Sequence, residues 1–163
     1  MSNPVRRQIF DALKSALAVP GDPVPEPPPL PTPPLTEQEK INRLSELMTA
    51  IRTEVHQTAA ADWPSMLQQV LSEKGVKELA YGPQSKLGPI IAAAWEESTQ
   101  ETLPALVPYD DNIEEFKSRL FEIDAGITST AGAVADVGAV ILWPDATEPR
   151  LPSLVPAIHI AVL

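Results

Sequence analysis

A proline-rich stretch divides the chain, because proline is excluded from the interiors of both helices and sheets. Nine of the 17 residues from Val19 to Leu35 are proline, including three in a row at positions 27–29. Proline has no backbone N–H and fixes its own φ, so such a run favours extended polyproline II structure. A linker of this kind spans up to roughly 50 Å. Its PxxP patterns are typical of SH3 ligands, but we interpret it as a spacer, residues 19–35, between residues 1–18 and residues 36–163.

Residues 1–18 have the pattern of a short amphipathic helix. Ile9, Leu13 and Leu17 are spaced to lie on one face. The segment carries three cations and one acid, so it is basic within a chain whose net charge is −10. A helix of this length is marginal by itself and needs a surface to lie on. Three surfaces are considered for it: its own domain, a partner protein and a membrane. The membrane has the least support, because the segment carries so few cations.

Residues 36–163 alternate between helical and strand-like patterns. Thr36 and Glu39 form a capping-box pattern that predicts the start of the first helix. Helices are predicted over residues 36–48, 62–75, 85–98, 111–121 and 129–136, and strands over residues 54–58, 77–81, 105–108, 124–128, 138–143 and 158–163. This alternation indicates an α/β fold with an open, mostly parallel sheet and helices on both faces.

The composition excludes several kinds of function. The chain has no cysteine, which excludes disulfides, a thiol nucleophile and cysteine-ligated zinc or iron–sulfur clusters within it. The negative net charge disfavours nucleic acid as a partner. His56 and His159 are about a hundred residues apart, so no metal site is predicted. No apolar run has membrane-spanning length and the N-terminus lacks a secretion signal, so we expect a cytoplasmic protein.

Three hydroxyl residues follow the strand predicted at 124–128. In parallel sheets, ligands bind beyond the carboxyl ends of strands, near helix N-termini. Thr128, Ser129 and Thr130 stand at such a place if a helix begins there, and their hydroxyl and N–H groups could hold a carboxylate or a phosphate. The alternative is that Ser129 or Thr130 only caps that helix.

The loop between residues 143 and 158 is short and contains four prolines, which excludes a crossover helix and favours an antiparallel return of the last strand. That arrangement gathers five candidate residues at one edge of the sheet: Thr128, Ser129, Glu148, Arg150 and His159. His159 is a candidate acid/base or ligand-orienting group, or else a structural hydrogen-bonding residue. Arg150 is a candidate for bidentate binding of a carboxylate, or else forms a surface salt bridge.

Asp136 is a further candidate carboxylate. Its apolar neighbours Val134, Ala135 and Val137 indicate partial burial. A buried carboxylate needs hydrogen bonds, and backbone N–H groups could supply them. A structural role is therefore favoured over a catalytic one.

The last predicted strand, Ile158–Leu163, is apolar up to the final residue. It has the composition of an inner strand with neighbours on both sides. We therefore expect either that elements following it are lacking here or that its edge pairs with another chain as a homo-oligomer.

The segment GITSTAGAVADVGAVILW, residues 126–143, together with EPRLPSLVPAIH, residues 148–159, resembles the LUD domain of the lactate utilization protein C family, also called LutC/YkgG. Val137 and Ala139 stand where the family has threonines. The family also continues for several dozen residues past the last strand found here. The resemblance implies a fold like that of the NagB/RpiA/CoA-transferase group. It also implies an accessory subunit, without independent activity or a cofactor of its own, in a cytoplasmic system that oxidises L-lactate to pyruvate on iron–sulfur partner subunits.

Two other hypotheses remain beside the accessory subunit. One is a stand-alone binder or enzyme that acts on a small anionic metabolite, either a carboxylate or a sugar phosphate. The other is a truncated remnant with a structural or dimerising role. A ligand that raises the melting temperature would favour the first of these.

Overall fold

The structure is a computed structural model that describes residues 4–18, 35–100, 102–109 and 113–163. Its contacts divide the chain into two compact units, Met1–Pro34 and Leu35–Leu163. The predicted linker, apart from its last residue, lies outside the described residues, as do residues 111 and 112 at the predicted start of the fourth helix.

The first unit contains helix α1, Pro4–Ala18. Ile9, Phe10 and Leu13 are exposed on it. The Arg6 guanidinium lies 5.7 Å from the centroid of the Phe10 ring, a cation–π contact on the helix surface. The helix therefore presents apolar side chains beside a cation.

The described residues of the second unit form four helices and six strands. The helices are α2 Glu37–Ala50, α3 Trp63–Glu73, α4 Gly88–Glu97 and α5 Ile113–Leu120. The strands are β1 Glu78–Tyr81, β2 Ala105–Pro108, β3 Ala125–Ser129, β4 Gly132–Val134, β5 Ala139–Ile141 and β6 Ile158–Val162. Two 3-10 turns lie at Ala135–Val137 and Leu151–Ser153.

The main sheet has the order β2-β1-β3-β6, and each neighbouring pair is parallel. Helices α3 and α4 cover one face through a core that includes Leu71, Leu79, Ile91 and Ile127. Helix α5 and the 3-10 turn at Leu151–Ser153 cover the other face. The predicted α/β class, with a mostly parallel sheet and helices on both faces, is confirmed. Among the described residues, no helix is long and apolar enough to cross a membrane.

The first helix of this unit begins as its sequence predicts. Thr36 caps α2, and the Glu39 carboxylate accepts a hydrogen bond of 2.8 Å from the Thr36 backbone N–H, which completes the capping box. Residues 54–58, predicted as a strand, are irregular. His56 instead lies 2.8 Å from the Glu54 carboxylate at the surface.

The predicted helix over residues 129–136 is wrong. Residues 132–134 and 139–141 form an antiparallel ribbon of two short strands, β4 and β5, joined by a 3-10 turn. Gly138 ends that turn at φ 63°, in the left-handed region that favours glycine. A Cβ on Gly138 would also lie 2.6 Å from Leu47 Cβ, because the ribbon packs closely on α2.

The predicted antiparallel return of the last strand is also wrong. Among the strands that the structure describes, the 139–141 strand pairs with β4 and not with the main sheet. The connection into β6 therefore starts at the end of β3 and runs through the ribbon and a 3-10 turn. This path is long enough for a parallel crossover without a helix, and β6 joins β3 in parallel.

Candidate functional site

Thr128 and His159 meet across β3 and β6. His159 is paired in register with Gly126, so Thr128, two residues further along β3, lies on the same face as His159. Thr128 Oγ1 is 2.9 Å from His159 Nε2. Burial lowers the pKa of His159 below its usual value, which favours the neutral imidazole. The pair couples a buried alcohol to a neutral base.

Ser129, the last residue of β3, binds the carboxylate of Glu148. Its backbone N–H lies 3.1 Å from each carboxylate oxygen, and its hydroxyl donates to Oε2. Glu148 is only 9% exposed. A buried carboxylate requires such donors, since losing its hydration is costly. The backbone N–H and hydroxyl of Ser129, here called the Ser129 site, thus form a carboxylate-binding element at the carboxyl end of a parallel strand.

The turn that carries Glu148 is shaped by Asp145. The Asp145 carboxylate accepts hydrogen bonds from the Thr147 N–H at 2.7 Å, from the Thr147 hydroxyl at 2.8 Å and from the Glu148 N–H at 2.9 Å. These bonds, the Thr147 hydroxyl first, lower the pKa of Asp145, and Lys86 contributes a smaller lowering. The 145–148 turn is therefore held together mainly by its own hydrogen bonds.

Tyr109 and Gly82 lie under this turn. They directly follow β2 and β1, at the same edge of the sheet as Ser129. A Cβ on Gly82 would lie 2.4 Å from the Thr147 carbonyl oxygen and 2.7 Å from the Tyr109 hydroxyl, so both oxygens lie beside Gly82. Tyr109 is 6% exposed, and its hydroxyl has no hydrogen-bond partner in the described part of the chain. Burial, with the charges of Glu148 and Asp145, raises its pKa.

A shallow open groove runs over the Ser129 site. Its lining includes Thr128, Ser129, Leu142, Trp143, Glu148, Arg150 and Ser153. Trp143 is 78% exposed at the rim, and Arg150 is exposed too. The groove thus combines a carboxylate-binding element, a buried alcohol, a cation and an exposed aromatic ring. The residues that the structure describes contain no cluster of three or more histidine, aspartate or glutamate side chains that could hold a metal ion.

The groove gathers four of the residues predicted from the sequence: Thr128, Ser129, Glu148 and Arg150. His159 lies next to it through its bond to Thr128. Thr130 has its backbone N–H bonded to the Val162 carbonyl at 2.9 Å, and its buried hydroxyl has no partner among the described residues. Their assignment to ligand binding or catalysis stays a prediction.

Two parts of the sequence-based reasoning about this site need correction. No helix begins at Ser129, so the expected helix N-terminus does not contribute to anion binding there. Asp136 is exposed on the 3-10 turn of the ribbon and does not line the groove, so the expected partial burial is wrong. The turn packs on α2, but the Asp136 side chain is exposed, so apolar neighbours in sequence do not bury it.

Gly82, Tyr109 and Asp145 also belong to this region, and none of them was predicted from the sequence. A signal for the first two was present, because each directly follows a predicted parallel strand. The strand-end rule that selected Thr128 applies equally to them. Asp145 acts through the conformation of a turn, and an aspartate two residues before a threonine is too common to single out.

Most of the second unit is similar to known proteins. The family model for the LUD domain matches residues 41–163. The uncharacterized protein NMB1437 of Neisseria meningitidis serogroup B is 27% identical over 125 residues, or 76% of this chain. The match covers 52% of that protein, so the chain spans about half its length.

A solved structure has a similar fold. It is the crystal structure of a DUF162 family protein from Deinococcus radiodurans, with a TM-score of 0.58 and 21% sequence identity. The similarity covers 78% of this chain and 70% of that one. At this level of identity it supports the fold alone, whereas the family model covers most of the second unit. The chain belongs to the LUD domain family.

Proposed function

We propose that this protein is an accessory subunit of a cytoplasmic, iron–sulfur-dependent system that oxidises L-lactate to pyruvate. The observation that carries the proposal is the LUD domain match over residues 41–163. Within that match, the segments 126–143 and 148–159 resemble the lactate utilization protein C members of the family. The chain itself contributes binding and positioning in this proposal, and no redox chemistry.

The absence of cysteine from the sequence agrees with this division of labour. Iron–sulfur clusters are held mainly by cysteine thiolates, and this chain has none. The clusters that oxidise lactate would therefore be bound by partner subunits. By itself the chain is expected to have no lactate-oxidising activity.

Helix α1 is the proposed docking element. Ile9 and Leu13 are exposed at helical spacing, and the first 18 residues carry a net charge of +2, from three cations and one acid. An amphipathic helix with such a stripe fits an apolar groove on a partner. Its positive charge favours a groove with an acidic rim.

Affinity purification from the host grown on lactate tests the proposal. We expect iron-containing, coloured partner subunits in the eluate, identified by visible spectrum and subunit mass, and their loss when residues 1–35 are deleted. A double change of Ile9→Ser with Leu13→Ser should release them too. The matched control, Gln8→Ser with Ala12→Ser, places two serines at the same spacing on a neighbouring face and should retain them. A colourless eluate with no partner would refute the proposal.

A second candidate function is the binding of a small anionic metabolite at the groove. The observation that favours it is the carboxylate already bound at the Ser129 site. If it is correct, a carboxylate or sugar phosphate should raise the melting temperature. Thr128→Val, Arg150→Ala and His159→Ala should each reduce that shift. A shift that survives all three changes would exclude the groove as the site.

A third candidate is a structural role through self-association. Strand β6 lies at one edge of the described sheet, and a free edge can pair with another chain. Light scattering during gel filtration tests this idea. A strictly monomeric sample that is fully folded would exclude it.

A further inference from the structure

The carboxylate of Glu148 occupies the position at which parallel sheets bind ligands, beyond the carboxyl end of an inner strand. We propose that the Ser129 site binds the carboxylate of a small organic acid, and that Glu148 is an internal anion that this acid displaces. The proposal deepens the second candidate function above and is independent of the docking role of α1.

The geometry favours a carboxylate over a phosphate. One N–H group is shared equally by the two oxygens of a planar group, at 3.1 Å each, and the Ser129 hydroxyl binds one of them. A free carboxylate reproduces these contacts atom for atom. A tetrahedral phosphate has additional oxygens that need further donors, and those have no counterpart in the contacts of Glu148.

The Tyr109 hydroxyl is a hydrogen-bond donor at this edge of the sheet, and it does not bind the Glu148 carboxylate. It is buried and unpaired within the described residues, although the charges of Glu148 and Asp145 reach it. A buried hydroxyl without a partner is rare in native proteins and calls for a reason. The Tyr109 hydroxyl lies beside Gly82 near the 145–148 turn, where it can donate to an oxygen of the acid other than the two bound by Ser129 once the turn moves away.

The turn that bears Glu148 is suited to such a movement. The hydrogen bonds of Asp145 to Thr147 and Glu148 lie within the turn, and so does the bond from the Asp145 N–H to the Glu148 carbonyl at 3.1 Å. Among the hydrogen bonds of the described residues, moving the turn as a unit therefore breaks chiefly those between Glu148 and Ser129. Arg150, exposed at the groove two residues later, offers a cation to the incoming acid.

Removing the internal anion should open the site. We expect Glu148→Ala to bind acetate, L-lactate and pyruvate about tenfold or more tightly than the wild type, because a charged competitor and its hydrogen bonds are lost. Glu148→Gln, which keeps the shape and loses the charge, should be intermediate. Glu96→Ala is the matched control, since it removes one exposed carboxylate on α4 and changes the net charge equally. Titration calorimetry measures all four proteins.

Two further changes identify the donors. In the Glu148→Ala background, Ser129→Ala should weaken the binding of all three acids by several-fold. Tyr109→Phe should weaken that of L-lactate and pyruvate, which carry a further oxygen for the Tyr109 hydroxyl, while inorganic phosphate binds weakly throughout. Equal affinities in the wild type, Glu148→Ala and Glu96→Ala would overturn the proposal. Phosphate binding as tight as that of the carboxylates would overturn the assigned ligand class.

The wild-type protein provides a test that does not depend on the stability of a variant. In amide NMR spectra, L-lactate or pyruvate should shift the Ser129 resonance, because the Ser129 N–H loses its bond to Glu148. The resonance of Lys77, at the opposite end of the sheet, should shift much less. No shift at Ser129 under saturating acid would overturn the proposal. Co-purification of iron-containing partners with Glu148→Ala is a separate readout: it reports on the accessory function alone, so failure of one proposal is distinguishable from failure of the other.

Discussion

Thr128 Oγ1 and His159 Nε2 lie 2.9 Å apart on adjacent parallel strands, although 31 residues separate them in sequence. The bond forms because the connection from β3 returns to the amino end of the sheet, so that β6 runs parallel to β3 with His159 opposite Gly126. Burial of the imidazole lowers the pKa of His159, so folding favours its neutral form.

The lowered pKa of His159 predicts a dependence of stability on pH. Below a pH of about 6.5 the unfolded chain binds a proton that the folded chain binds less readily. The free energy of unfolding should therefore decrease as the pH falls from about 7.5 to about 5, above the range in which carboxylates titrate. Urea unfolding at several pH values measures this slope. His159→Gln should flatten it.

The exposed His56 provides the control for that experiment. His56→Gln removes the other histidine of the chain without touching the sheet. A slope that persists in His159→Gln and disappears in His56→Gln would contradict the assignment to His159.

Close packing of the Leu151–Ser153 turn on the sheet predicts a strict requirement for glycine at position 126. A Cβ at Gly126 would lie 2.3 Å from the Pro152 carbonyl oxygen, which is backbone and cannot rotate away. Gly126→Ala should lower the free energy of unfolding by about 3 kcal/mol, as overpacking of a core does. Gly75→Ala is the control: its φ is 66° with nothing within 4 Å of the added Cβ, so only backbone strain of about 1 kcal/mol is expected. Equal losses in urea unfolding would refute the packing argument.

Asp124 holds the amino ends of two strands together, which predicts a structural role for this carboxylate. It accepts hydrogen bonds from the backbone N–H groups of Lys77 at 2.8 Å and Glu78 at 3.1 Å, at the start of β1, and directly precedes β3. Asp124→Ala leaves these donors without their acceptor and should cost about 1–3 kcal/mol in urea unfolding. Asp136→Ala, at an exposed position, should change stability by less than about 0.5 kcal/mol. A reversal of this order would contradict both assignments.

Much of the sheet was predictable because its strands are short apolar runs between helices with clear spacing. The strand at residues 105–108 matches its prediction. The strand predicted at 77–81 begins one residue later, at Glu78, and the strand predicted at 124–128 is shifted by one residue, to Ala125–Ser129. The ribbon at residues 132–141 was not predictable. Its strands are three residues long, and Gly138 between them lies close to Leu47 on α2, a tertiary contact that no local pattern encodes.

The site was predictable to the extent that it follows from strand ends. Thr128 and Ser129 are at the end of β3, and the strand-end rule selects them. The specific partners, His159 for Thr128 and Glu148 for Ser129, depend on register and on the conformation of the 145–148 turn. These are tertiary properties that the residue types permit and do not determine.

The Tyr109 hydroxyl, which has no partner among the described residues, predicts that stability and ligand binding respond in opposite directions. A buried hydroxyl without a partner is desolvated for no gain, so Tyr109→Phe should leave the free energy of unfolding unchanged or raise it by up to about 1 kcal/mol. Tyr81→Phe, in the partly exposed last residue of β1, is the control for loss of a tyrosine hydroxyl from the same sheet. Urea unfolding of the two variants gives the comparison.

A loss of 1 kcal/mol or more, about the value of one hydrogen bond, in Tyr109→Phe alone would mean that the hydroxyl already has a structural partner in the folded protein. A gain in stability together with weaker carboxylate binding in the Glu148→Ala background would instead mean that this hydroxyl serves ligand binding at a cost in stability, as groups in functional sites often do.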